Sequence, residues 1–103
     1  MRYFIFILFL ITHLGAQSTI ISGFISDSSS GEALIGANVI LQETGQGMAT
    51  DMNGYYVIQD ILPGDYVLMV SYVGFSLRKE KLTITEGESI KLNIALLEEV
   101  VEL

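Results

Sequence analysis

The 103 residues of this chain suffice for one small domain and not for two. Five Lys/Arg against twelve Asp/Glu give a net charge of −7, which argues against nucleic acid and against anionic membrane surfaces, since both need a basic face. There is no cysteine, so disulfides, thiolate chemistry and a cysteine-borne lipid anchor are excluded and the core alone must hold the fold.

At the N-terminus, Arg2 precedes an apolar run from Tyr3 to Ile11, and Leu14-Gly15-Ala16 offers a cleavage point before Gln17. This predicts a secretory signal peptide over residues 1–16. The run is well short of the ~20 apolar residues of a spanning helix. Cleavage would leave four Lys/Arg against twelve Asp/Glu, a charge of −8, and would remove His13, the only histidine. Nitrogen- or sulfur-based zinc sites and Ser-His or Cys-His pairs are then unavailable to the mature domain.

From residue 17 onward no apolar repeat at helical spacing persists, while alternation of period two recurs between clusters of Gly, Asn, Asp and Ser. Ile21, Gly23 and Ile25 alternate with Ser22, Phe24 and Ser26, up to the loop Asp27-Ser28-Ser29-Ser30-Gly31. Its serines are read as bonding local backbone, not as nucleophiles. Ala37, Val39 and Leu41 mark a second strand, and Glu43 to Gly47 turns into a short segment at Met48–Thr50. Gly45 and Gly47 lack the following helix and lysine of a phosphate cradle.

After Gly54, Tyr56 and Ile58 share one face and Tyr55 and Val57 the other. Asp60 to Asp65 is expected to reverse the chain, with Pro63-Gly64 as a turn whose glycine takes positive φ. Tyr66, Leu68 and Val70 then oppose Val67, Met69 and Ser71 in a buried central strand ending at Gly74. Leu77–Ile84, with Arg78, Lys79, Glu80 and Lys81, fits a charged edge strand. Beyond Glu86-Gly87-Glu88, Ile90, Leu92, Ile94 and Leu96 predict one continuous half-buried strand. About seven short strands in this length predict an all-β fold, a small antiparallel β-sandwich of two packed sheets. A small closed barrel is the alternative.

Three constellations invite a chemical reading. "ATDMNGYYVIQDI" places Asp51, Asn53 and Gly54 as in a calcium loop, but the first ligand position would be Ala49, the twelfth Asp60, and no helix follows. A turn, with Asp51 bonding local backbone, is the better account. Asp60 and Asp65 flank an exposed turn, not a cleft that would separate their pKa values. Tyr55, Tyr56, Tyr66, Tyr72 and Phe75 would suit sugar stacking on a surface, but Tyr56 and Tyr66 fall on inward faces and core filling accounts for them. Neither a catalytic residue, a metal site nor a cofactor is expected.

Read in order, "ISGFISDSSSGEALIGANVIL", "TDMNGYY", "LPGDY", "SYVGF", "IKLNIAL" and "LEEVV" resemble the carboxypeptidase regulatory-like domain, a transthyretin-like (prealbumin-like) β-sandwich. Such domains occur beside metallocarboxypeptidases, in cell-surface proteins, and at the N-terminus of TonB-dependent outer-membrane receptors, ahead of a TonB box, plug and barrel. The resemblance implies residues 17–97 as the sandwich and 98–103 as a TonB-box-like or linker tail, with Glu98, Glu99, Val100 and Val101 as a candidate partner-binding segment. An extended tail of this kind can add to a partner's sheet edge. It departs from the family pattern at Glu102, where Val followed by Thr or Ser is usual.

The implied role is a non-enzymatic accessory domain of a nutrient receptor, exported to the periplasmic side of the outer membrane or the cell surface. The chain would be a short or truncated product, with TonB or the receptor's plug and barrel as partners. The alternatives are a stand-alone secreted or periplasmic binding or adhesion module, using exposed Tyr55 or Phe75, and a regulatory appendage of a carboxypeptidase.

Overall fold

A computed structural model describes residues 19–100. The expected signal peptide and the end of the tail, including Val101, lie outside the described residues. Eight strands follow in order: β1 Thr19–Asp27, β2 Asn38–Leu41, β3 Gly47–Ala49, β4 Tyr55–Ile61, β5 Gly64–Ser71, β6 Arg78–Ile84, β7 Ser89–Lys91 and β8 Ile94–Leu96. They form two sheets, one with β1 between β4 and the successive short strands β7 and β8, the other in the order β3-β2-β5-β6. Among the described residues no helix is long and apolar enough to cross a membrane.

The alternation read from the sequence is what divides core from surface. Ile21 and Ile25 of β1, Val39 and Leu41 of β2, Tyr56, Ile58 and Ile61 of β4, and Leu68 and Val70 of β5 are buried between the sheets. Ile84, Ile94 and Leu96 complete the layer from the last strands. Burial of these side chains stabilises the fold by roughly 1.5–3 kcal/mol each before the entropy of ordering the chain is set against it. β5 is central, as expected, and β6 is the charged edge.

One expectation is refined and one is corrected. The chain reverses at Pro63-Gly64 as expected, but not within one sheet: β4 belongs to one sheet and β5 to the other, so the segment carries the chain across the sandwich. Gly64 takes the expected positive φ, at 155°, and Asp60 is a non-glycine residue that also has positive φ, at 58°. Between the pairs Thr19↔Ile61 and Ile21↔Ile58, β4 holds one residue more than β1. Asp60 therefore lies in a β-bulge that redirects the strand end.

The stretch Ile90–Leu96 is not one strand. β7 pairs with Ile20–Ser22 and β8 with Ile25–Asp27, both parallel to β1, in an otherwise antiparallel sandwich. At the break, Phe24 N–H donates to Asn93 Oδ1 at 2.9 Å instead of to a strand carbonyl. The Leu92 carbonyl turns inward over Gly23, where any Cβ would overlap it, and accepts the Tyr56 hydroxyl at 2.7 Å. The break thus satisfies a buried phenol that an unbroken ladder would leave without a partner.

Candidate partner-binding tail

β8 delivers the chain to the end of the sandwich where β1, β5 and β3 finish. Ser28 N–H donates to the last β8 carbonyl, Leu96 O, at 2.9 Å. The chain then runs antiparallel to the connection between β5 and β6. Ser76 N–H donates to Leu97 O at 2.8 Å, Glu98 lies opposite Phe75, and Glu99 N–H donates to Gly74 O at 2.8 Å.

The receiving connection is itself braced. Phe75 N–H donates to Tyr72 O, and the two rings meet edge to face with centroids 5.5 Å apart. Both pack against the core, so Phe75 is not the exposed aromatic that a glycan-binding reading needed. Of the predicted tail, Glu98 and Glu99 are thus brought onto the body of the domain. Val100 stands free of it, 83% exposed. One backbone edge of Leu97–Glu99 is occupied by Gly74–Ser76, and Glu98 and Glu99 are exposed.

The other candidate positions resolve into structural roles. Asp51 Oδ1 accepts Asn53 N–H at 2.8 Å and Tyr55 N–H at 3.0 Å, and Gly54 N–H donates to Asp51 O at 2.9 Å. The carboxylate is therefore used in closing the turn. Gly54 takes φ 74°, and a Cβ there would sit 2.7 Å from Ile25 O, so both the conformation and the space demand glycine. Among the described residues no group of three or more His, Cys, Asp or Glu is placed to hold a metal.

Asp60 and Asp65 belong to different sheets, and Asp65 Oδ1 accepts the Thr83 hydroxyl at 2.9 Å. Asp27, in the serine loop, accepts both the N–H and the hydroxyl of Ser29. These bonds, the backbone one foremost, hold its carboxyl below the ordinary value of 3.8 against the opposing effect of burial. Tyr55 is the one predicted aromatic on an outer face, tilted against half-exposed Phe24 with centroids 5.2 Å apart.

Sequence reasoning missed the residues that lock loops from inside. The buried Thr50 hydroxyl accepts Ala37 N–H at 2.9 Å and donates to Leu34 O. Met48 and Gln46 reach from β3 and its turn to the backbone of β4. A threonine closing a short apolar strand and an asparagine inside a run of alternating aliphatics were the available signals.

With the geometry in place, comparisons with known proteins agree on one region. A family model described as CarboxypepD_reg-like domain matches residues 21–103. A TonB-dependent receptor of Formosa agariphila is 38% identical over 89 residues, 86% of this chain and 8% of the receptor. The TonB-dependent receptor SusC of Bacteroides thetaiotaomicron is 30% identical over 86 residues, 84% of this chain and 8% of that protein. The chain thus spans less than a tenth of the length of these curated relatives.

Among solved structures, a cohesin–X-dockerin complex from Acetivibrio cellulolyticus matches with TM-score 0.64 and 24% identity, covering 77% of this chain and 56% of that one. Wild-type catechol 1,2-dioxygenase of Acinetobacter radioresistens also gives TM-score 0.64, at 14% identity, over 84% of this chain and 53% of that one. Likeness at these identities concerns the sandwich alone.

Proposed function

The chain belongs to the CarboxypepD_reg-like domain family, and on that premise we propose that it serves as a non-enzymatic accessory domain at the N-terminal side of a TonB-dependent outer-membrane receptor. The observation that carries the reading is the match of more than four fifths of the chain to a short segment of such receptors. The domain would lie on the periplasmic side of the outer membrane, whether as part of a longer receptor or as a short product of one. Sandwich residues 17–97 would be the folded body and residues 98–103 the connection toward the receptor.

In this reading the tail Glu98–Val101 is the segment that meets TonB or the plug. The backbone of Leu97–Glu99 is already extended along Gly74–Ser76, which lowers the entropy lost when a partner strand adds to it. An antibody against the domain, applied to fractionated cells, is expected to detect a receptor-sized polypeptide in the outer membrane. Detection only of a free, domain-sized species in the medium would overturn the reading in favour of a secreted binding module. Deleting Glu98–Val101 in the cell separates the tail's role from the domain's. Loss of uptake with receptor level unchanged supports partner binding, and unchanged uptake rules it out.

A further inference from the structure

Every Lys and Arg among the described residues lies on β6 or β7: Arg78, Lys79 and Lys81 on the first, Lys91 on the second. In a chain this acidic, such segregation puts the positive charge on one flank of the sandwich. That flank also holds the longest open strand edge. β3, β7 and β8 have three residues each. The outer edge of β4 is covered by side chains, with Val57 N–H donating to Met48 Sδ at 3.2 Å and Gln46 Nε2 donating to Gln59 O and Asp60 O at 3.1 and 3.2 Å. Among the described residues β6, with seven residues, pairs on one side only, with β5.

The groups on its free side follow from strand alternation, in which the N–H and C=O of one residue point to the same neighbour and those of the next residue to the other. Val67 directs its carbonyl to Gln42 N–H at 2.9 Å and its N–H to Glu43 Oε1 at 2.9 Å, on the β2 side. Tyr66 and Leu68 therefore bond across to their partners Leu82 and Glu80. It follows that Lys79, Lys81 and Thr83 point their N–H and C=O groups outward. The side chains of Lys79 and Lys81 stand on the outer face, opposite Met69 and Val67. Glu80, on the alternate face, is held by Arg78 Nε at 2.7 Å.

We propose that the outer edge of β6 is a docking site for an acidic extended segment of a partner protein, which adds to the β3-β2-β5-β6 sheet as a fifth strand. Backbone bonds to Lys79, Lys81 and Thr83 supply the register. Acidic side chains at alternate positions meet the two lysines, and the intervening apolar positions fall beside half-buried Leu82. Lysine on an edge normally prevents pairing, and it does so here for a second copy of β6, which would set lysine against lysine. An acidic strand meets attraction instead. The proposal does not depend on the receptor reading.

The test titrates the isotope-labelled full chain with a synthetic peptide of alternating glutamate and valine, as long as β6, and with its lysine–valine counterpart. The acidic peptide is expected to shift the amides of Lys79, Lys81 and Thr83 and slow their exchange, while those of Glu80 and Leu82, already bonded to β5, change little. Replacing Lys79→Glu and Lys81→Glu together should reverse the preference between the two peptides by roughly tenfold. Lys81→Pro removes one outward N–H without touching a β5 bond and should abolish binding. Equal binding of both peptides to the native chain, or shifts confined to Gly74–Ser76, would overturn the proposal. Should the proline variant fail to fold, the reversal in the glutamate double variant decides the matter.

Discussion

A Cβ on Gly23 would overlap the Leu92 carbonyl, which is backbone and bonded to Tyr56. Gly23→Ala is accordingly expected to cost at least the upper part of the ~1–3 kcal/mol usual for overpacking, read as a lowered urea midpoint at unchanged slope. Tyr56 is the other half of this contact. Burial, with the neighbouring Tyr55 adding to it, pushes its phenol up to about 12 from the ordinary 10.0. Because the raised pKa belongs to the folded state, the associated stability is complete below about pH 10 and is lost as the pH climbs through the folded value. Tyr56→Phe should therefore flatten the alkaline limb of a stability-against-pH curve while lowering stability near neutrality by roughly 1 kcal/mol. At Asp51 the turn can be separated from a calcium site. Asp51→Asn keeps an oxygen for both N–H donors and should change the melting temperature little, Asp51→Ala should lose about 1 kcal/mol, and millimolar calcium should leave the native melting temperature unmoved.

Strand by strand, what could be read from the sequence was whatever depends on a side chain's own alternation. Tyr56 and Ile58 point inward because they are two apart in a strand, and Arg78, Lys79 and Lys81 mark an edge because charge there disfavours pairing. The break at Leu92–Asn93 was not legible, since apolar residues keep their spacing across it and the cause is a distant glycine and a distant phenol. The role of Pro63-Gly64 was hidden for a similar reason, because a local turn signal does not say whether the chain returns to the same sheet. Of the tail, the four residues Glu98–Val101 could be named, but the seat of Glu98 and Glu99 against Gly74–Ser76 could not, as it rests on backbone groups that every residue shares. That seat makes a sharp expectation for hydrogen exchange. The Glu99 amide, bonded to Gly74 O, should exchange more slowly than that of Val100, and Gly74→Pro, which strains the connection without removing Gly74 O, should erase the difference.

For the molecule as a whole, the core residues lie in one layer between two sheets, and with no cysteine in the chain no disulfide reinforces it. Its stability is then that of its packing, and each large-to-small change in the layer should be felt in full. Leu68→Ala, at a fully buried site of the central strand, is expected to cost about 2–5 kcal/mol by equilibrium urea unfolding. A site of that depth leaves little margin in a domain this small, where total stability runs to roughly 0.05–0.15 kcal/mol per residue.

The parallel pairing of β1 with β7 and β8 has a mechanical consequence. β1 begins at one end of the sandwich and β8 finishes at the other. Tension applied between Thr19 and Leu97 therefore runs along the strands and loads their ladder in shear, so that several hydrogen bonds bear it together instead of opening one after another. A domain so strung behaves as a clamp. Stretched singly between Thr19 and Leu97, it should rupture in one abrupt high-force event, whereas pulling Thr19 against Ile61, paired across the end of the β1–β4 ladder, should unzip it at lower force.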